Sequence, residues 1–359
     1  MFNNKTILIT GGSGSWGNEL TKQLLEKFKP QEIRIYSRGE LNQWIMKRKF
    51  KNNSKIKFII GDVRDSERMR LALQSVDIVF HLAALKHVPV CEENPNEAVL
   101  TNITGTQNII NAAIENDVEM FVDVSTDKAV DPLNLYGITK ACGEKLVIAA
   151  NNAFGKTKFV CVRGGNVLGT NGSVVPLFRE QLIKNNKITL TDKRMTRFFI
   201  TLKEAIGLLF EAVKKSIGGE IFVIKMPAAK ITDLSAVLID EFGNKDTKIE
   251  VIGIRPGEKI HEVLVSRYES DRVIDDANYF IVLPTLKIEG IEKEYKGKKK
   301  VNIEEFNSEN AQQLSKEEIK ELLQKEGWLK KESSIEEGVI RKMSNKELEE
   351  YSKKEGWLN

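Results

Sequence analysis

The first 165 or so residues alternate between short β-branched, apolar runs and longer stretches in which apolar residues recur every three or four positions. Residues 6–10 (TILIT), 33–36, 57–60, 78–82, 120–125 and 158–163 read as strands. Residues 18–28, 40–50, 66–74, 96–116 and 136–151 read as the helices between them. Strands separated by helices of this length form βαβ units on a parallel sheet. The expected fold class is therefore α/β, with a Rossmann-type doubly wound parallel sheet over 1–166, interleaved with later segments. Beyond 167 the alternation loosens. Helices are predicted at 176–184, 202–215 and 231–241 and strands near 220–224 and 248–252, as a smaller α/β substrate-binding portion over 167–286.

Residues 287–300 (KIEGIEKEYKGKKK) read as a solvated linker, leading into a helical tail that runs to 359. In that tail SKEEIKELLQKEGWL at 315–329 recurs as SNKELEEYSKKEGWL at 344–358, an offset of 29 residues. Serine opens each copy as an N-cap and glycine closes each helix. Two copies are too few for a solenoid, which leaves a duplicated helical tail or a docking helix for a partner.

Composition narrows the class of protein. A chain with 41% hydrophobic and 30% charged residues suits a soluble globular protein. Its 55 basic against 51 acidic residues leave a net charge of +4, no surplus for coating nucleic acid. No apolar run approaches the roughly 20 residues of a membrane span, and MFNNKTILITGG enters a strand without a secretory-leader pattern. Cys91, Cys142 and Cys161 are too scattered for a disulfide framework or a metal site. A cytoplasmic protein without a metal and without a membrane or nucleic-acid partner is expected.

Gly11, Gly14 and Gly17 follow the first strand and open the first helix. Glycines so spaced let the turn tighten, the backbone reach a pyrophosphate and the helix pack on the strand, while the helix N-terminus offers free N–H groups. The second strand ends Tyr36-Ser37-Arg38, with no carboxylate for a ribose 2′-hydroxyl and an arginine suited to a 2′-phosphate, so NADP is expected over NAD. Asp62 and Val63 after the third strand would flank the adenine, Asp62 accepting from its amino group. Ala83 and Ala84 leave the cofactor room.

Tyr136 and Lys140 lie four apart on a helix and share a face, so the ammonium can stabilise tyrosinate and lower the phenol pKa. Tyr136 then suits a base for a hydroxyl proton as hydride leaves carbon, and Lys140 can also bond the nicotinamide ribose. Thr126 ends a strand at the edge where ligands bind in such folds. Asp127 can protonate a leaving hydroxyl and Lys128 can take a proton beside a carbonyl; the alternative is a surface ion pair in a turn.

With the glycine turn, this constellation resembles the short-chain dehydrogenase/reductases. TGGSGSWG, IYSR, GDVRD, HLAALKHVPVCEENP, TNITGTQN, STDKAVDPLNLYGITK, GGNVLGTNGSVVPLF, MTRFFIT, GEIFVIK and IGIRPGEKIHE together resemble the UDP-N-acetylglucosamine 4,6-dehydratase (inverting) family of pseudaminic acid biosynthesis. The likeness is dense from about residue 3 to 286. It implies oxidation of the sugar at C4 with Tyr136 and NADP, removal of the C5 proton by Lys128, protonation of the departing C6 hydroxyl by Asp127, and reduction at C6. It further implies cofactor contacts from Ser15, Trp16, Ser37, Lys86 and Val167. Substrate contacts are implied from Lys86, Thr101, Asn102, Lys128, Asn166, Asn171, Gly172, Ser173, Val174, Val175, Pro176, Thr191, Arg197, Arg255 and Glu258, with Arg197 and Arg255 suited to fork a UDP diphosphate. A homo-oligomer, dimer or hexamer, is implied as well.

Lys128 stands where deoxythymidine-diphosphate-glucose dehydratases carry glutamate, and Tyr136 where several retaining N-acetylglucosamine dehydratases carry methionine. The family's usual Arg-Tyr-Gly-Asn reads Arg163-Gly164-Gly165-Asn166 here, and Gly39 replaces an aspartate. The competing readings are a retaining dehydratase, a UDP-sugar 4-epimerase, which needs neither C5 base nor C6 acid, and a non-catalytic NADP-binding sensor.

Overall fold

The computed structural model describes residues 1–153, 155–169 and 173–329. Strands β1 (Thr6–Thr10), β2 (Glu32–Ser37), β3 (Ile56–Ile60), β4 (Ile78–His81), β5 (Met120–Thr126) and β6 (Lys158–Gly164) lie parallel in the order 3-2-1-4-5-6. Helices cover the sheet, so β1 and β4 are buried along their whole length, as their apolar runs 7–9 and 78–80 demand. Between β1 and β4 the strand order reverses, and the chain leaves their carboxyl ends in opposite directions. That divergence opens the crevice where ligands bind in such sheets.

After β6 come β7 (Asn166–Val167), β8 (Lys187–Leu190), β9 (Thr196–Ile200), β10 (Ile221–Ile224), β11 (Ala228–Lys230), β12 (Lys248–Val251), β13 (Val263–Val265), β14 (Val273–Asp276), β15 (Tyr279–Val282) and β16 (Phe306–Asn307). β10 adds to β6 in parallel, and the β14–β15 hairpin closes the main sheet at nine strands. The others form small sheets, β11-β9-β7, β12-β8 and β13-β16, around a second apolar cluster. Val175, Phe178 and Leu182 enter that cluster from helix Val174–Asn185, and Leu234 and Leu238 from helix Ile231–Phe242. Among the described residues no helix is long and apolar enough to cross a membrane.

Two predicted segments take a different form. The single helix over 96–116 is instead Pro95–Val99, a wider π turn Leu100–Thr104, and Gly105–Glu115. The widened turn carries Asn102 inward, where its amide bonds both the N–H and the carbonyl of Leu85. Residues 287–300 are not simply solvated: Ile288, Ile291 and Tyr295, spaced as a helical stripe, are buried on the main core, and the Tyr295 hydroxyl donates to Glu220. The abundant lysines there hid three anchors. The first repeat copy forms helix Lys316–Lys325, capped by Ser315 with Glu318, and buries Ile319 and Leu323 in the second cluster. The second copy lies outside the described residues.

Candidate active site

The crevice widens into a cleft of about 1010 Å³ that runs from the β1 turn to Arg197 on β9 and the segment after β12. At its first end a β-carbon on Gly17 would lie 2.1 Å from the Gly12 carbonyl oxygen, so only glycine lets the helix Ser15–Lys27 press onto the turn. That helix starts after Gly14 with no side-chain cap, which leaves its first N–H groups available at the cleft. Gly11, Gly14, Ser15 and Trp16 line the wall, and Gly17 stands behind it.

Ser37 and Arg38 follow. The Ser37 hydroxyl is engaged by Ser13 at 2.9 Å and Gln43 at 3.0 Å, and so braces the turn. Arg38 is half exposed, 3.8 Å from Asp62. Asp62, expected at an adenine amino group, is committed to Arg64, whose backbone N–H reaches Oδ1 at 3.0 Å and whose Nη2 reaches Oδ2 at 2.6 Å. Burial opposes its ionisation, yet Arg64 holds the carboxyl below its ordinary range. Val63, Ala83, Ala84 and Lys86 complete this side; burial first, then the Lys128 charge, lowers the Lys86 ammonium.

At the other end β5 stops at Thr126, one 3-10 turn spans Asp127–Ala129, and Asn134 caps helix Leu135–Ala149 by accepting from the Gly137 N–H at 2.8 Å. A β-carbon on Gly137 would lie 2.1 Å from the Lys128 carbonyl oxygen. The helix therefore packs straight onto the Asp127–Lys128 turn, which brings the Tyr136 phenol to the Thr126 hydroxyl. Asp127 Oδ1 accepts from Thr126 at 2.9 Å and from Lys128 Nζ at 3.0 Å. Asp127 Oδ2 is buried without a hydrogen-bond partner among the described residues. Burial pushes the Asp127 carboxyl up, and the negative Glu262 adds to that rise against the pull of Lys128.

Three expectations change here. Lys140 does not reach the cleft wall: it is 3% exposed, with Nζ 3.1 Å from both carboxylate oxygens of the fully buried Asp123. Burial would lower this ammonium, but Asp123 and then Tyr136 raise it. The Tyr136 phenol is pushed up, not down: burial outweighs the opposing charges of Lys140 and Lys128. Arg197, expected as a diphosphate fork, is a strut. Its Nη1 donates to the Thr196 carbonyl at 2.7 Å and that of Ile260 at 3.0 Å, and its Nη2 to that of Lys259 at 3.0 Å. Its Nη2 also meets the Met195 sulfur, and its Nε faces Glu262 at 3.5 Å.

The other predicted residues divide cleanly. Thr101, Asn166, Val167, Ser173, Val174, Arg255 and Glu258 line the cleft, and the Thr101 hydroxyl is buried without a partner among the described residues. Arg255 is 54% exposed and 3.8 Å from Glu258, so its guanidinium keeps donors for an anion. Asn102, Val175, Pro176 and Thr191 are off the wall; Asn102 is fixed to Leu85 and Thr139, and the Thr191 hydroxyl to the Met195 sulfur. Asn171 and Gly172 lie outside the described residues. Gly164 lines the cleft, and a β-carbon there would meet nothing within 4 Å.

Sequence reasoning missed Glu262 and Lys259. Glu262 is 3% exposed, yet its carboxylate lines the cleft with Oε1 3.6 Å from Lys128 Nζ. Lys259 donates to the Val130 carbonyl. Both stand in RPGEKIHE beside Arg255 and Glu258, but nothing in their own types or spacing separates them from surface charge.

The family described as polysaccharide biosynthesis protein matches residues 7–284. A UDP-N-acetylglucosamine 4,6-dehydratase (inverting) of Campylobacter jejuni is 44% identical over 333 residues, 90% of this chain and 97% of its own. A Rickettsia bellii protein named UDP-glucose 4-epimerase is 43% identical over 334 residues, 90% and 96% of the two chains. The X-ray structure of Pen from Bacillus thuringiensis superposes with a TM-score of 0.84 at 42% identity, covering 90% of this chain and 99% of that one. The chain belongs to the polysaccharide biosynthesis protein family, the same family as the inverting UDP-N-acetylglucosamine 4,6-dehydratases.

Proposed function

We propose that this protein is a nucleotide-sugar 4,6-dehydratase that converts UDP-N-acetylglucosamine to a UDP-4-keto-6-deoxy-N-acetylhexosamine with inversion at C5, using NADP. The observation that carries the reading is the Asp127–Lys128 pair, joined at 3.0 Å beside Tyr136 and Thr126 at the carboxyl edge of β5. A simple oxidation or epimerisation at C4 needs no such pair.

The first end of the cleft fits a nicotinamide dinucleotide: glycines that a β-carbon would obstruct, an uncapped helix N-terminus at the pyrophosphate position, and Arg38 where a 2′-phosphate would lie. A nicotinamide held there supplies reversible hydride chemistry. Tyr136, in its tyrosinate form, accepts the C4 hydroxyl proton as C4 becomes a ketone; burial opposes that form, and the Lys140 and Lys128 charges favour it. That ketone acidifies the C5 proton, which Lys128 takes, while Asp127 protonates the C6 hydroxyl, which leaves as water. Lys128 must then be neutral and Asp127 protonated, a form reached by moving one proton along their shared contact. Elimination returns the pair to ammonium and carboxylate. The hydride taken from C4 would then return to C6, a solvent-derived proton would reach the opposite face of C5, and Tyr136 would release its proton to solvent, which closes the proton count. Arg255, with its open donors, suits the diphosphate better than Arg197 does.

The 43% identity to proteins named UDP-glucose 4-epimerase makes epimerisation the second reading. Incubation with UDP-N-acetylglucosamine in D₂O, followed by NMR, separates the two. A 4-keto-6-deoxy product deuterated at C5 is expected; UDP-N-acetylgalactosamine in its place would overturn the proposal.

A further inference from the structure

Glu262 is a buried carboxylate that neither the cofactor end nor the Asp127–Lys128 chemistry accounts for. Its Oε1 stands between Lys128 Nζ at 3.6 Å and Arg197 Nε at 3.5 Å, and its Oε2 is buried without a partner among the described residues. Arg197 in turn is tied to three backbone carbonyls, so it is a fixed post. The Glu262 backbone is held from the other side. Its N–H donates to the Ser308 hydroxyl at 2.9 Å, and its carbonyl accepts from the Ser308 N–H at 2.8 Å. Burying a carboxylate this deeply is costly without a compensating role.

Resting on the dehydratase reading, we propose that Glu262 is a positioning residue for the proton-transfer pair, fixing Lys128 Nζ between two carboxylates so that it faces both Asp127 and the sugar. Its charge acts on the pair as well as its geometry. Burial lowers the Lys128 ammonium, but Asp127 and then Glu262 raise it well above its ordinary value. Glu262 also raises Asp127. Glu262 itself stays ionised: burial opposes this, but Lys128, Arg197 and Lys259 hold the carboxyl low. The other charges facing the cluster are Lys86 and Tyr136 on the cleft wall and Asp131 beside Lys259. Each proton affinity of the Asp127–Lys128 pair is therefore higher with Glu262 present than without it. Removing that charge must move both limbs of the pH profile to lower pH.

The test compares the wild type, Glu262→Gln, Glu262→Asp and Ser308→Ala, following C5 deuterium incorporation by NMR and C4 oxidation by nicotinamide absorbance at 340 nm. Glu262→Gln is expected to slow C5 exchange by ~10–100-fold, the size of losing one contact to a charged group. C4 oxidation should persist, and both pH limbs should move down. Glu262→Asp should restore the wild-type pH profile with part of the rate. Ser308→Ala should lower the rate without moving the profile. If Glu262→Gln leaves rate and profile unchanged, or slows exchange with the profile in place, the proposal is overturned. Should the glutamine variant not fold, the aspartate profile decides, since a displaced profile there also overturns it. A wild type that forms no 4-keto-6-deoxy product fails the dehydratase reading itself, before any variant is compared.

Discussion

At the β1–β4 end of the cleft the wall is built on a glycine turn and an uncapped helix start, whereas at the β5–β9 end it is a knot of ionisable side chains. The first end suits recognition by shape, by N–H dipoles and by the Arg38 charge, none of which needs a titrating group. The second holds Asp127, Lys128, Glu262 and Arg197 within 3.0–3.6 Å contacts, where each charge sets its neighbour's. The lesson is that the two ends should fail differently: the shape end through binding and stability, the charge end through rate and pH.

The largest effect is expected from Lys128→Ala, which should cut dehydration by ~10²–10⁴, the usual contribution of a positioned acid–base group. NADP binding, read as a thermal shift, should be unchanged; a large loss of binding would break the division. Arg38→Ala should next weaken NADP by ~10–100-fold while sparing NAD, as measured by titration. An equal loss for both cofactors would put Arg38 on the adenine instead of a 2′-phosphate. Gly17→Ala should cost roughly 1–3 kcal/mol of stability and weaken either cofactor, because the helix must back away from the turn.

His81 lies buried behind both ends, its ring nitrogens bonded to Thr10 at 2.7 Å and Thr106 at 3.2 Å. Burial, then Lys140, lowers its imidazole from 6.5 to about 3. Its contribution is complete above pH 6.5 and is lost as pH falls toward about 3, because only the unfolded chain can take the proton. Thermal denaturation should show a slope of roughly 1.4 kcal/mol per pH unit over that fall, flattened in His81→Gln. The smallest effect belongs to Gly164→Ala, expected within about 0.5 kcal/mol of wild type since a β-carbon there meets nothing.

Most strands and helices of the first half were legible because each announces itself locally, by an apolar run or by a helical stripe; the break of the 96–116 helix at its π turn was not. Gly11 to Gly17, Thr126 to Lys128, and Tyr136 were legible for the same reason: their chemistry sits in one short string. What the string could not carry was partnership across the chain. Lys140 finds Asp123 17 residues away, and Arg197 spends its donors on carbonyls more than 60 residues on. Strands β13 and β16 are each two or three residues long and exist only by pairing with each other. Glu262 acquires a role only when β9, the β5 turn and Ser308 meet around it.

The Ser308 clasp also bears on where this protein tolerates being cut. The family match ends at residue 284, which makes that an attractive place to stop an expressed fragment. Such a fragment would retain every glycine of the cofactor turn and the whole Thr126–Lys140 segment. It would lose β16, the hydroxyl that holds Glu262, the Ile288, Ile291 and Tyr295 anchors on the main core, the Ile319 and Leu323 anchors, and Trp328, which packs over Gly169. The expected product is a competent dinucleotide binder and a poor dehydratase, so truncation at a family boundary would mimic an active-site lesion without touching an active-site motif.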